Sequence, residues 1–211
     1  MIHVVSTTYA APEKARSRCL DSVAVQDYPH VHHYIDALEQ TPPRSHFENL
    51  IATIADIADD DIVASVDGDD WLARTDALEI IARAHDQGAL VTYGSFRYAD
   101  GRAGFARRLQ GPPREQPWVT THLKTFRAGL FKKIDHEHLK YRGKWLEHAR
   151  DLALMYPLLE MAGPQAVFIP EVLYVYNYGN STEFNGNATT LAQEREQVAY
   201  VRSLPEYRCA T

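Results

Sequence analysis

Alternating strand and helix patterns over the first ninety residues, an acidic cluster closing the third strand, and a length of 211 residues predict an α/β protein. The expected architecture is three layers, α/β/α, around a mostly parallel central sheet joined by right-handed crossovers. One domain spanning 1–211 is expected, organised as 1–94, 95–177 and a C-terminal loop and helix over 178–211.

Residues 2–6, with Ile2, Val4 and Val5, read as a short buried strand. Pro12 stands where a helix begins, and the run 12–26 places Ala15, Cys19, Leu20 and Val23 on one face. A second strand is expected over 31–37, after the Tyr28-Pro29 break. Over 43–58, Phe47, Leu50, Ile51, Ile54 and Ile57 recur at helical spacing. The run Ile62-Val63-Ala64-Ser65-Val66 reads as a third strand, followed by a helix at 75–87 and a strand at 89–94. Glycines, prolines and arginines between 95 and 118 predict a mobile loop. A strong helix is expected over 145–162, stopped by Gly163-Pro164, then short strands at 166–169 and 172–177. A polar loop at 178–187 and a terminal helix at 188–203 complete the reading.

The net charge of −6 is unevenly spread: −9 over residues 1–70, +7 over 71–150 and −4 over 151–211. The acidic first third suits a site that holds a cation. The basic middle suits an anionic acceptor, the phosphates of a donor, or simply a solvated surface. No apolar run approaches eighteen residues, so no membrane span is expected, and Met1 leads directly into a strand, so no signal peptide is expected. Cys19 and Cys209 read as reduced and structural, and the expected location is cytoplasmic.

Asp67-Gly68-Asp69-Asp70 falls at the C-terminal end of the third strand, where open parallel sheets place their ligand crevices. Carboxylates crowded in this way repel one another unless a cation or solvent relieves them. Hard oxygen ligands suit Mn²⁺ or Mg²⁺, ions that share their coordination shell with substrate phosphates. An acidic turn preceding a helix is the alternative reading of the same four residues. Trp71 stands where an EF-hand loop would need an oxygen ligand.

Ser6-Thr7-Thr8-Tyr9, Arg18-Cys19-Leu20-Asp21-Ser22-Val23, Gln26-Asp27-Tyr28-Pro29 and Val66-Asp67-Gly68-Asp69-Asp70-Trp71-Leu72 resemble family 2 glycosyltransferases of the GT-A fold, the last segment resembling their DxD metal motif. Thr121-His122-Leu123-Lys124-Thr125-Phe126, Arg150 to Pro157, and Ile169 to Tyr174 resemble the acceptor-side half of short bacterial and viral members. The resemblance runs in order through about residues 2–177. It implies a metal-dependent, inverting hexosyltransferase, with residues 1–94 binding the nucleotide-sugar and 95–177 carrying the acceptor side and catalytic helix.

Under that resemblance Asp69 is the direct metal ligand, Asp67 holds the donor ribose or the metal's water shell, and Asp70 assists. Thr7, Thr8 and Tyr9 line the nucleotide pocket. Asp36 accepts a hydrogen bond from the base, which favours uracil and hence a UDP-sugar donor. Asp151 is the base that takes the acceptor's proton, with Glu147 the alternative because Arg150-Asp151 replaces the family's frequent Glu-Asp. His122, Lys124 and Arg127 are candidates for holding acceptor or diphosphate, and Trp145 for stacking on a sugar, as is Trp118. Many members supply a late histidine to the metal, whereas the last one here is His148, so a third ligand is left unassigned. The acceptor is expected to be a glycan or another hydroxyl, a hydroxylated base in DNA included. Competing readings are a sugar-1-phosphate nucleotidyltransferase, which would carry glycine in the loop after the first strand, and a non-catalytic glycan- or nucleic-acid-binding module on a decayed enzyme fold.

Overall fold

The computed structural model describes residues 1–7, 11–36, 45–177 and 188–209. Its elements are β1 (Ile2–Thr7), α1 (Glu13–Ala24), β2 (Val31–Asp36), α2 (His46–Ile54), β3 (Ile62–Asp67), β4 (Trp71–Leu72), α3 (Ala77–Asp86), β5 (Val91–Tyr98), β6 (Lys124–Arg127), α4 (Ala128–Phe131), β7 (Lys140–Tyr141), β8 (Lys144–Trp145), α5 (Arg150–Ala162), β9 (Ala166–Tyr176) and α6 (Ala188–Ser203). Thr8, Tyr9 and the 178–187 loop of the sequence reading lie outside the described residues.

A seven-stranded sheet has the order β2-β1-β3-β6-β5-β9-β4. β1 pairs in parallel with both β2 and β3, and β5 in parallel with β9. β6 lies antiparallel between β3 and β5, so the two parallel groups are not direct neighbours. Alternation along the strands sends Val5, Val63 and Tyr93 into one core, and Ile2, Val4, Ala64 and Val66 into the other. The first core is closed by α2, α4 and α5, with Phe47, Phe131 and Met155 buried; the second is closed by α1 and α3, with Cys19, Val23, Leu78 and Ile81. Helices on both faces make the three layers that the alternation predicts. No helix of the described residues is long and apolar enough to cross a membrane.

Several local expectations are corrected. The helix predicted from 145 begins at Arg150, and Trp145 sits instead in the β7–β8 hairpin. Arg142 and Gly143 at that hairpin's turn both have positive φ, the backbone a two-residue hairpin loop requires. The two strands expected at 166–169 and 172–177 are one, β9, whose register against β5 slips between Gly94 and Phe96. Pro170 falls at that slip, where the absence of its N–H breaks no ladder bond. Residues 95–118 are not a free loop. β5 runs on to Tyr98, Leu109 N–H donates to the Tyr93 hydroxyl at 3.0 Å, and Arg114 is buried on Glu160 while donating to the Val201 carbonyl.

Candidate active site

The parallel register decides what meets at the sheet edge. Thr7 lies opposite both Asp36 and Asp67, so β1, β2 and β3 end level with one another. Gly68 N–H donates to the Thr7 carbonyl at 2.8 Å, carrying the pairing one residue past the strands. The chain then turns tightly, Asp70 N–H bonding the Asp67 carbonyl at 3.0 Å, before β4 joins the edge of β9.

β9 fixes that acidic turn. The Tyr174 hydroxyl donates to one Asp70 oxygen at 2.8 Å and accepts from Asp67 N–H at 3.1 Å. Asn177 N–H donates to the other Asp70 oxygen at 2.7 Å, and its side chain donates to the Asp69 carbonyl at 3.1 Å. Burial raises the Asp70 carboxyl well above the carboxylate range, and the charges of Asp67 and Asp69 push the same way. Asp69 is raised by burial and by Asp67. Burial and mutual repulsion therefore both disfavour full ionisation of this turn.

Three ligand atoms, one each from Asp67, Asp70 and His122, lie within 4.8 Å of one another. His122 reaches the acidic turn from the segment before β6 and stacks on the Tyr174 ring at 4.5 Å and 11°. Its Nδ1 is buried with no hydrogen-bond partner. Burial, helped by the Lys124 charge, lowers its pKa to about 4, which keeps the imidazole neutral and able to ligate. Asp69 is not one of the three converging groups.

Lys124, two residues on, is 2 % exposed, and its Nζ donates to Asp151 Oδ1 at 2.6 Å. Asp151 sits in the first turn of α5, and its side chain keeps 43 % of its surface exposed. Burial is the largest single effect and would raise this carboxyl, but the Lys124 ammonium, its hydrogen bond and the Arg150 charge together outweigh it and hold the group well below the usual carboxylate range. Burial likewise opposes the Lys124 charge, and Asp151, Asp67 and Asp70 more than restore it. Lys124 thus stands between the acidic turn and the start of α5.

His46, which sequence reading passed over, belongs to the same group. It occupies the first turn of α2 and shares a 3.1 Å hydrogen bond between its Nδ1 and the Thr7 hydroxyl. Burial and then Arg150 lower its pKa to about 4, against the pull of Asp67. Neither spacing nor a motif marks it, because Thr7 is 39 residues away in the chain.

Arg127 lies elsewhere. It pairs with Ile62 at the start of β3, five residues from Asp67 and so about 16 Å down the strand. It donates to the carbonyls of Asp60 and His85, a loop-fastening role, and is not brought to the site. Trp145 packs against the larger core with the Lys140 ammonium 4.9 Å from its ring centre, and Trp118 meets Tyr156 edge-on at 5.9 Å. Glu147 is exposed. Asp36 ends β2 opposite Thr7 along the backbone. Cys19 is buried and free, its thiol pushed up to about 11 by burial, which removes it from thiolate chemistry. A cleft of about 400 Å³ lined by Tyr93, Arg108, Pro112, Glu160 and Gly163 lies by the C-terminal end of α5, away from Asp151 at its start.

No protein-family model matches the chain, and no curated protein matches it by sequence. Solved structures do. Residues 1–349 of TarS from S. aureus in complex with UDP-GlcNAc align with a TM-score of 0.60 at 16 % identity, over 94 % of this chain and 66 % of that one. The same protein in complex with UDP aligns at 0.57 and 16 %, over 95 % and 64 %. A longer TarS structure aligns at 0.56 and 19 %, over 83 % and 36 %. The chain therefore has a GT-A nucleotide-sugar transferase-like fold, and it spans about two thirds of the shorter TarS structures and about a third of the longer one.

Proposed function

We propose that the protein transfers a sugar from a nucleotide diphosphate sugar, a UDP-sugar first among them, to an acceptor hydroxyl with inversion. The observation that carries this reading is the convergence of Asp67, Asp70 and His122 at the end of β3, next to the Lys124–Asp151 pair. A nucleotide-sugar enzyme needs both groups: one facing the departing diphosphate, the other facing the incoming hydroxyl.

The residues at the acidic turn fit a divalent cation. Two carboxylates held near each other, one of them raised by burial, and a neutral imidazole with a buried unpartnered nitrogen form a mixed oxygen and nitrogen set suited to Mn²⁺, with Mg²⁺ next. Asp67 and His122 would hold it, Asp70 would fix the turn through Tyr174 and Asn177, and Asp69 would add charge beside them. Such an ion would supply Lewis-acid stabilisation of the diphosphate leaving group. Thr7, steadied by His46, lies where the nucleotide would rest, and Thr8, Tyr9 and Asp36 complete that pocket in this reading.

Asp151 accepts the acceptor's proton. Its carboxylate is ionised at any ordinary working pH because Lys124 holds it there, so it is always ready though weakly basic. Weak basicity suffices when the attacked carbon is oxocarbenium-like, since the hydroxyl becomes acidic as its new bond forms. Lys124 also fixes the carboxylate's direction. The test is release of UDP from UDP-GlcNAc and UDP-glucose in the presence of Mn²⁺ and mixed soluble glycans. Turnover that disappears in Asp151→Asn supports the reading. Turnover unaffected by that change removes Asp151 from the role of base.

A further inference from the structure

Between β5 and β6 the chain leaves one aromatic ring in solvent beside the site. Phe105 is 53 % exposed, and among the described residues no other phenylalanine or tryptophan is exposed. The ring is firmly presented. Tyr98 N–H donates to the Arg102 carbonyl at 2.8 Å, Gly104 N–H donates to the Phe96 carbonyl at 2.9 Å, and Arg97 bridges Ala103. A Cβ at Gly104 would come within 2.5 Å of the Phe96 ring, so the backbone here lies flat on that ring, as only glycine allows.

From Phe105 a short aromatic chain leads inward. Phe105 meets Phe96 at 5.5 Å and 89°, and Phe96 meets His122 at 6.1 Å and 89°. The exposed ring is therefore two contacts from a member of the converging Asp67, Asp70 and His122 group. Its sequence neighbours Gly104 and Ala106 are small, and Arg107, two residues on, is exposed. A peptide partner would want a contiguous apolar patch, which one ring among small residues does not offer. A pyranose wants a single flat aromatic face for its C–H groups and nearby donors for its hydroxyls.

We infer that Phe105 is an acceptor subsite: its ring stacks on a sugar of the acceptor, and Arg107 donates to that sugar's hydroxyls. The assignment rests on the sugar-transfer reading and narrows its acceptor to a carbohydrate. Because the ring is solvent-exposed, Phe105→Ala removes the stacking face without opening the core.

The experiment is saturation-transfer NMR on the full chain with cellotetraose, maltotetraose and chitotetraose as probes, alongside a separate calorimetric titration with UDP and Mn²⁺. The expected result is transfer to at least one tetrasaccharide, weakened about five-fold in affinity by Phe105→Ala and recovered by Phe105→Trp. UDP binding together with no tetrasaccharide signal, or a signal indifferent to Phe105→Ala, overturns the subsite and leaves the donor reading standing. A Phe105-dependent signal without any UDP binding keeps the carbohydrate surface and removes the donor reading.

Discussion

At the scale of single residues, the most informative pair is Lys124 and Asp151. A buried ammonium 2.6 Å from a carboxylate keeps the carboxylate charged and aimed. Asp151→Asn should lower kcat by about 10²- to 10⁴-fold, the usual worth of a positioned base, while leaving UDP affinity nearly unchanged. Calorimetry and initial rates separate the two. Lys124→Met tests the ion pair differently. Lys124 lowers the Asp151 pKa, so removing it must raise that pKa, and the acid limb of the kcat profile should move to higher pH. A limb that stays in place would mean that another group governs it. Of these residues, Asp67, Asp69 and Asp70 are legible in the sequence because they are adjacent, and Asp151 through resemblance alone. His122 could be suspected but not placed, since its nearness to Asp67 depends on a strand order that no local pattern encodes. His46 carries no local signal of any kind.

Elements position these groups, and their stability is separately testable. α2 begins with a full capping box: the Ser45 hydroxyl accepts from Glu48 N–H at 3.2 Å, and the Glu48 carboxylate accepts from Ser45 N–H at 2.7 Å. Ser45→Ala should destabilise the fold by about 1 kcal/mol in urea denaturation, and by loosening the His46 turn should also weaken UDP binding. An unchanged denaturation midpoint would contradict the cap's role. α5 is fastened at its far end by the Arg114–Glu160 ion pair, both side chains 6 % exposed. Arg114→Ala leaves Glu160 buried without its partner and should cost about 3–5 kcal/mol, seen as a large fall in urea midpoint. The amphipathic helices and apolar strands were readable because periodicity reports burial. β6 was not: four residues are too few for a pattern, and its antiparallel insertion is a matter of neighbours. The β7–β8 hairpin was hidden because Trp145 and Leu146 extend the apolar helix pattern backward, whereas the Arg142-Gly143 turn ends it.

For the whole molecule, the split of charge has a structural outcome. The acidic first third supplies the turn at Asp67–Asp70. Much of the basic middle is neutralised within the chain: Arg102 on Asp100, Arg114 on Glu160, Lys124 on Asp151, Lys132 on Asp59, Lys140 on Glu137 and Arg142 on Glu196. Burial gives the molecule a marked sensitivity to acid. His85 is 1 % exposed, bonded to the Ala89 carbonyl and the Thr125 hydroxyl at 2.8 Å each, and burial followed by Arg127 lowers its pKa from 6.5 to about 4. In the unfolded chain it binds a proton below about pH 6.5, in the folded chain only below about pH 4. Stability should therefore fall as pH drops through that window, by up to roughly 3 kcal/mol for His85, and level off beneath it. Urea midpoints between pH 7 and pH 4 check this, and His85→Gln should flatten the fall.

In the proposed function, the edge formed by Thr7, Asp67 and His122 binds a nucleoside diphosphate together with a divalent cation. Calorimetric titration with UDP, with and without Mn²⁺, in wild type and in Asp67→Asn, tests it most directly. Binding should require Mn²⁺ and weaken at least about ten-fold in the variant, a loss of about 1.4 kcal/mol. UDP binding of equal strength without the metal, or unchanged by Asp67→Asn, would contradict it.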